Sequence, residues 1–148
     1  QCAELCGKDH GFMPIVVNVV SKEEYGEWLT SKQTEAAEVK ALMAQTFTLD
    51  QLMERGKAVY DRSCLACHGG KGEGGVGTAI AGSAVATGEL AGHLEIGVNG
   101  VPGTAMQAFG GQMNDVDMAA VITYQRNAFG NNMGDMVQPI DVFNHKKG

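Results

Sequence analysis

The stretch Cys64-Leu65-Ala66-Cys67-His68 carries the most definite chemistry in the chain. Two thiols three positions apart, followed at once by an imidazole, are what covalent attachment of a c-type haem requires. Each thiol adds across one vinyl group of the porphyrin, and His68 then supplies one axial bond to the iron. Three other readings compete: half of a zinc site, a thioredoxin-like redox pair, or two buried cysteines. Zinc needs two more ligands at matching spacing, and no second Cys-x-x-Cys occurs. A thioredoxin-like pair needs a βαβ context, whereas glycines follow the motif and no strand signal precedes it. Haem attachment is the favoured reading.

An axial bond on the other side needs a second donor. Gly103-Thr104-Ala105-Met106 places a thioether in a loop after a turn, downstream of the motif. A methionine in a loop has less core to fill than one in a helix, so Met106 is the expected sixth ligand. Met113, Met118 and His93 compete with it. Met118 lies inside a predicted helix and is read as packing. His93 falls in a short helix and is expected to be exposed.

A second group of donors opens the chain: Cys2, Cys6, His10 and Met13. Thiolate, imidazole and thioether together suit copper better than magnesium or calcium. A disulfide between Cys2 and Cys6, formed outside the cytosol, explains the cysteines equally well.

The elements that position these groups read as helices. Ser21-x-x-Glu24 is a capping box that starts a helix with Tyr25, Trp28 and Leu29 at helical spacing. Residues 34–45 continue in helix formers, with Ala36, Val39, Leu42 and Met43 as a thin apolar stripe. This stretch is read as a helical spacer, with a surface helix packed on the haem domain as the alternative. Thr48-x-x-Gln51 is a second capping box, and its helix runs to about Arg62 with Leu52, Val59 and Tyr60 inward. Gly56 is costly inside a helix, by about 1 kcal/mol against Ala, and a close helix crossing would justify it. The glycines after His68 lack the Gly-Lys-Ser/Thr ending and the preceding strand of a phosphate loop. They are read as a tight bend around the haem edge. Thr87 is expected to cap a short helix to about Val98, burying Leu90, Leu94 and Ile96, with Asn99-Gly100 ending it. Asn114 or Asp115 caps the last strong helix, to about Phe129, with Val116, Ala120 and Tyr124 on one face. That helix is expected to cross the first haem-domain helix near Gly56, with Tyr124 filling the space. Residues 133–148 show no clear period, and Lys146 and Lys147 are read as a solvated end.

The 148 residues suit one compact domain with an appendage. Aromatic residues make up only 6% and glycines number 21, a thin supply of large core side chains that a haem would supplement. A net charge of −6 argues against a nucleic-acid partner. No apolar run is long enough to span a membrane, and no signal peptide is visible. The chain does not begin with Met and is expected to be a processed product or a piece.

Two resemblances bear on these residues. The pattern Cys-x-Glu-x-Cys-Gly-x-x-His-x-x-Met-Pro resembles the binuclear copper (CuA) loop of cytochrome c oxidase subunit II, and residues 15–29 resemble that subunit's last strand and following helix. The resemblance implies that Cys2 and Cys6 bridge two coppers, that His10 and Met13 each bind one, and that Glu4 offers its carbonyl. The family's second histidine would precede residue 1, so the copper site is expected to be incomplete and empty here. Residues 47–129 resemble the class I cytochrome c domain fused to some bacterial oxidase subunits II. Two departures stand out. Gln107, not proline, follows Met106, and no proline between His68 and Pro102 offers a carbonyl to the axial histidine.

The expected fold is therefore mainly α: a class I cytochrome c fold around one covalent haem c, preceded by a remnant strand and helix of a cupredoxin-like CuA domain. The boundaries are residues 1–30 for the CuA remnant, 31–46 for the helical linker and 47–148 for the cytochrome c domain. The expected function is electron transfer through haem c held by Cys64 and Cys67, with His68 and Met106 as axial ligands. The resemblance implies a cytochrome or other redox donor and a CuA centre, complete only in the parent subunit, as acceptor. It also implies other oxidase subunits as partners, anchoring through N-terminal membrane helices, and a place on the periplasmic face of a bacterial cytoplasmic membrane. The alternative is a haem peroxidase or gas sensor with a labile Met106. Carbon monoxide binding to the reduced protein would separate the two.

Overall fold

The helix starts expected at Ser21, Thr48 and Asn114 appear where those caps lie. The computed structural model describes residues 17–148, with only the backbone at Val39, Leu42 and Met43. Among the described residues every regular element is a helix and no strand occurs: α1 (Lys22–Ala44), α2 (Leu49–Ser63), α3 (Leu65–His68), α4 (Leu90–Asn99), α5 (Asp115–Asn127) and α6 (Pro139–Lys147). The copper-like residues Cys2, Glu4, Cys6, His10 and Met13 lie outside the described residues. So do the first two positions of the predicted strand, while residues 17–20 are irregular. The chain divides between Glu38 and Val39 into two units.

In the first unit, Ser21 and Glu24 cap α1 reciprocally, at 2.8 and 3.1 Å. Tyr25, Trp28 and Leu29 are exposed, and the rings of Tyr25 and Trp28 stack 5.6 Å apart. Ala36 is exposed as well.

In the second unit, the Thr48–Gln51 box starts α2, whose inner side buries Leu52, Gly56, Val59 and Tyr60. Helix α5, capped by Asn114, packs across it. A Cβ on Gly56 would collide with the carbonyl oxygen of Ala120 and lie 2.6 Å from Cβ of Tyr124. The crossing expected at Gly56 is therefore present, and it is close enough that only glycine fits. Tyr60, Tyr124 and Phe129 form an aromatic cluster with centroids 5.1 to 5.6 Å apart. The core continues through Met118, Ala119, Val121, Ile122, Val137 and Val142.

Three expectations need correction. Helix α4 starts at Leu90 with Glu89 before it, because the Thr87 hydroxyl donates to the Ser83 carbonyl at 2.8 Å and does not cap. His93 is buried, only 5% exposed, and Leu90 and Ile96 are half-buried. The tail forms α6, which packs on α4 and α5. Val137 and Val142 are fully buried, and Lys146 donates to the Gly110 carbonyl at 2.7 Å and to Asp115 at 2.6 Å. Gln138 closes the unit by accepting from the Phe47 N–H and donating to its carbonyl, at 2.9 and 3.1 Å.

Candidate functional site

The Cys-x-x-Cys-His motif sits where α2 gives way to α3. Cys64 ends α2, its N–H still bonded to the Tyr60 carbonyl, and the backbone turns there into the single turn of α3. That turn places Cys64, Cys67 and His68 on one wall of a cavity of about 360 Å3, within the range of roughly 300–1,000 Å3 usual for small-molecule and cofactor sites. The glycine-rich segment then folds back over the motif. Gly77 N–H donates to the Cys67 carbonyl and Gly74 N–H to the His68 carbonyl, both at 2.8 Å. Gly69, Gly72 and Gly74 hold positive φ of 81, 68 and 91°, which lets the segment turn this tightly.

This bend also orients His68. Its Nδ1 lies 2.7 Å from the backbone carbonyl oxygen of Thr78. A carbonyl can only accept, so Nδ1 carries the proton and Nε2 keeps a lone pair for a metal. Gly77 packs against the face of the ring: a Cβ there would lie 2.9 Å from Cε1 and 3.1 Å from Nδ1. Tyr60 donates its hydroxyl to the Gly69 carbonyl at 2.7 Å, tying the start of the bend to α2. Burial, and then the nearby Cys64, push its phenol up to about 12, so it stays a donor. Burial, and then Cys67, push the free Cys64 thiol up to about 11.

The rest of the cavity is built by α4, the loop after it, and α5. Gly100, at φ 70°, ends α4 and lets the loop return close to the Met106 carbonyl. Val101 N–H donates to that carbonyl at 2.9 Å, and the Thr104 hydroxyl accepts from Met106 N–H at 3.1 Å. Met106 is half-buried and lines the cavity, as do the half-buried Met113 and the fully buried Met118. The four predicted haem residues, Cys64, Cys67, His68 and Met106, thus share one cavity. Its lining is mostly apolar, with Val76, Ile80, Ala86, Ile96, Val101, Phe109 and Val121 among its walls. Donor set and lining together fit a haem c. Among the described residues, no cluster of three or more His, Cys, Asp and Glu side chains is grouped as for a closed metal site.

One functional feature escaped the sequence reading, and the burial of His93, a competitor of Met106 in that reading, was misjudged. The Thr78 carbonyl is a backbone atom and leaves no signature in residue type. His93 lies three residues after Leu90 and four before Gly97, on the buried stripe of α4, and that spacing was available. Its Nε2 meets Gln125 Oε1 at 2.9 Å, and its Nδ1 is buried without a partner. Burial pushes its pKa down to about 4, so the ring is neutral.

A mainly α domain with this cavity has the class I cytochrome c fold, an oxidase-related electron-transport class. Residues 51–124 match the family described as "Cytochrome C oxidase, cbb3-type, subunit III", and the chain belongs to that family. It is also similar to "Cytochrome c oxidase subunit 2" of Alkalihalophilus pseudofirmus, at 29% identity over 142 residues, covering 86% of this chain and 38% of that protein. "Probable cytochrome c oxidase subunit 2" of Rickettsia bellii is 60% identical over 37 residues, 25% of this chain and 14% of the relative. "Cytochrome c oxidase subunit 2" of Arabidopsis thaliana is 53% identical over 32 residues, 22% of this chain and 12% of the relative. The chain thus spans from 12% to 38% of the length of these three relatives.

Proposed function

We propose that residues 47–148 form a cytochrome c domain that relays electrons within an oxidase subunit of the subunit 2 type. Cys64 and Cys67 would hold the haem through thioether bonds, and His68 and Met106 would ligate its iron. The observation that carries this reading is the His68 imidazole, set on the cavity wall by Thr78 with its lone pair on Nε2, beside both thiols and in the same cavity as Met106. Bound there, a haem c supplies an iron that alternates between ferrous and ferric states. With both His68 and Met106 holding it, the iron would offer no position to a substrate. A His/Met pair also raises the potential above that of a His/His pair, which suits the oxidising end of a respiratory chain. The apolar walls keep water from the site and limit the reorganisation that each transfer requires.

The same reading assigns residues 31–46 to a linker and residues 1–30 to the end of a CuA domain. The similarity to subunit 2 proteins supports it. The donor would be a cytochrome or another redox carrier, the acceptor the CuA centre of the parent subunit, and the neighbours other oxidase subunits. No helix among the described residues is long and apolar enough to cross a membrane. Placement on the periplasmic face, anchored by helices elsewhere in the parent protein, follows from the oxidase relation. No step is assigned to copper at Cys2, Glu4, Cys6, His10 and Met13.

Acid–organic extraction with intact-mass measurement tests the attachment: the pigment should stay with the chain, at one haem per molecule. The reduced protein should refuse carbon monoxide. Rapid binding would instead favour the peroxidase or gas-sensor reading with a labile Met106.

A further inference from the structure

The bend that carries the Thr78 carbonyl is weakly specified by its own sequence. Six of the nine residues 69–77 are glycine, and none is proline. Glycine loses more backbone freedom on folding than any other residue, so such a segment does not hold a hydrogen bond to His68 unaided. Its anchors come from other elements. Tyr60, fully buried on α2, donates its hydroxyl to the Gly69 carbonyl at 2.7 Å, where the bend starts. Phe129, just after α5, sets its ring against Gly72, where a Cβ would lie 2.7 Å from the ring's Cδ2. Gly72 ties the two ends of the bend together. Its N–H donates to the Gly69 carbonyl at 3.2 Å, and its own carbonyl accepts from the Ile80 and Ala81 N–H groups at 2.8 and 2.9 Å, just past Thr78. The Tyr60 and Phe129 rings also meet, with centroids 5.1 Å apart. Phe129 stands at φ 59°, in the left-handed region that a bulky side chain rarely adopts. Backbone strain of this kind persists where the surroundings over-determine it, and it clusters at functional sites.

We propose that Tyr60 and Phe129 are positioning residues for the axial imidazole: they clamp the bend at Gly69 and Gly72 and so keep the Thr78 carbonyl on His68 Nδ1. The proposal rests on the haem reading above. The clamp supplies, from α2 and from the end of α5, the stiffness that the glycines lack. Its effect on the site is electronic as well as steric. A hydrogen bond from Nδ1–H to a carbonyl orients the ring and makes its other nitrogen a more basic ligand. A more basic ligand favours ferric over ferrous iron, and hydrogen bonding around the ligands is one of the protein's levers on potential. Loosening the clamp weakens the Thr78 bond, makes Nε2 less basic and raises the potential.

The test uses the full haem-bearing chain with Tyr60→Phe, which keeps the ring and removes only the hydroxyl. The proposal expects the ferric/ferrous equilibrium to shift about threefold towards ferrous, as for the weakening of one hydrogen bond, and the ferric electron paramagnetic resonance signals to move. Amide exchange at Gly74 and Gly77, whose N–H groups bond to the His68 and Cys67 carbonyls, should quicken while that in the core of α5 does not. Tyr124→Phe is the matched control. It deletes a hydroxyl from the same aromatic cluster, away from the bend, and should leave the potential and the resonance signals as they are. An unchanged or lowered potential in Tyr60→Phe overturns the proposal. So does an equal shift in Tyr124→Phe, which would mark a general softening of the cluster. If Tyr60→Phe carries no haem, Phe129→Leu decides: a raised potential supports the clamp, and an unchanged or lowered one overturns it. Failure of the haem reading would show separately, as an unaltered protein without covalently attached pigment.

Discussion

At the residue scale, the site depends on how one imidazole is held. His68 is fixed on one side by the Thr78 carbonyl, and its ring face lies against Gly77. Gly77 has no positive φ to protect, so the backbone would accept alanine there; the collision is with the ring alone. A methyl group 2.9 Å from Cε1 must push the ring or the loop aside. Gly77→Ala should therefore shift the midpoint potential and cost about 1–3 kcal/mol of stability, as overpacking generally does. A redox titration and a thermal melt check this together. An unchanged potential would mean that the ring is not clamped as described. Thr78 itself acts through its backbone, so Thr78→Ser should leave the potential alone, which separates ring orientation from side-chain chemistry at the neighbouring position.

At the element scale, the α2–α5 crossing sets the floor on which the haem motif stands. Cys64 closes α2, and Tyr60, Tyr124 and Phe129 pack beneath the bend that follows. The two helices approach closely because Gly56 presents no side chain to Ala120 and Tyr124. Gly56→Leu should drive the helices apart and lower stability by about 3 kcal/mol or somewhat more, at the upper end of overpacking costs. The proposed thioether bonds to haem, being covalent, should survive, so the visible spectrum of the folded variant should match the unaltered protein while its melting temperature falls. A melt indistinguishable from that of the unaltered protein would sink the crossing. Helix α4 shows how the same physics sets a boundary. Thr87 looked like its cap, but its hydroxyl is spent on Ser83, and the helix begins at Leu90.

At the scale of the whole second unit, long-range polar ties hold the last segment to the rest. Arg126 is almost fully buried, and its guanidinium meets Asp135 at 2.6 Å and donates to the Gly88 carbonyl at 3.0 Å. It joins α5 to the segments before α4 and after α5. Asp135→Ala would leave a buried cation with one carbonyl partner, a loss of about 3 kcal/mol by analogy with other broken buried pairs. Chemical denaturation should show that loss, with haem content unchanged. A difference under about 0.5 kcal/mol, as for an ordinary surface site, would contradict the burial argument. Lys146 makes a similar tie from α6 to Gly110 and Asp115. It holds the far end of the stretch that carries Met106, which makes α6 part of the cavity's support.

What the sequence determined by itself is local. Caps lie three residues from their partners, and the Ser21, Thr48 and Asn114 starts needed nothing beyond that spacing. The pairing of Cys64 and Cys67 with His68 is equally a matter of neighbours along the chain. Gly56 was legible because glycine inside a helix is costly without a close neighbour to justify it. What the tertiary structure decided is everything that joins distant positions through atoms whose identity does not announce the contact. The Thr78 carbonyl reaches His68 only because the glycine bend closes. His93 gains its partner 32 residues away on α5, and Lys146 its own 36 residues back, by the packing of helices. Helix α6 lacked a readable period because what anchors it is a few fully buried contacts, Val137 and Val142 among them, and polar ties to other elements. Spacing along the chain encodes only interactions within a turn or two; burial and long-range hydrogen bonding arise when the chain folds on itself.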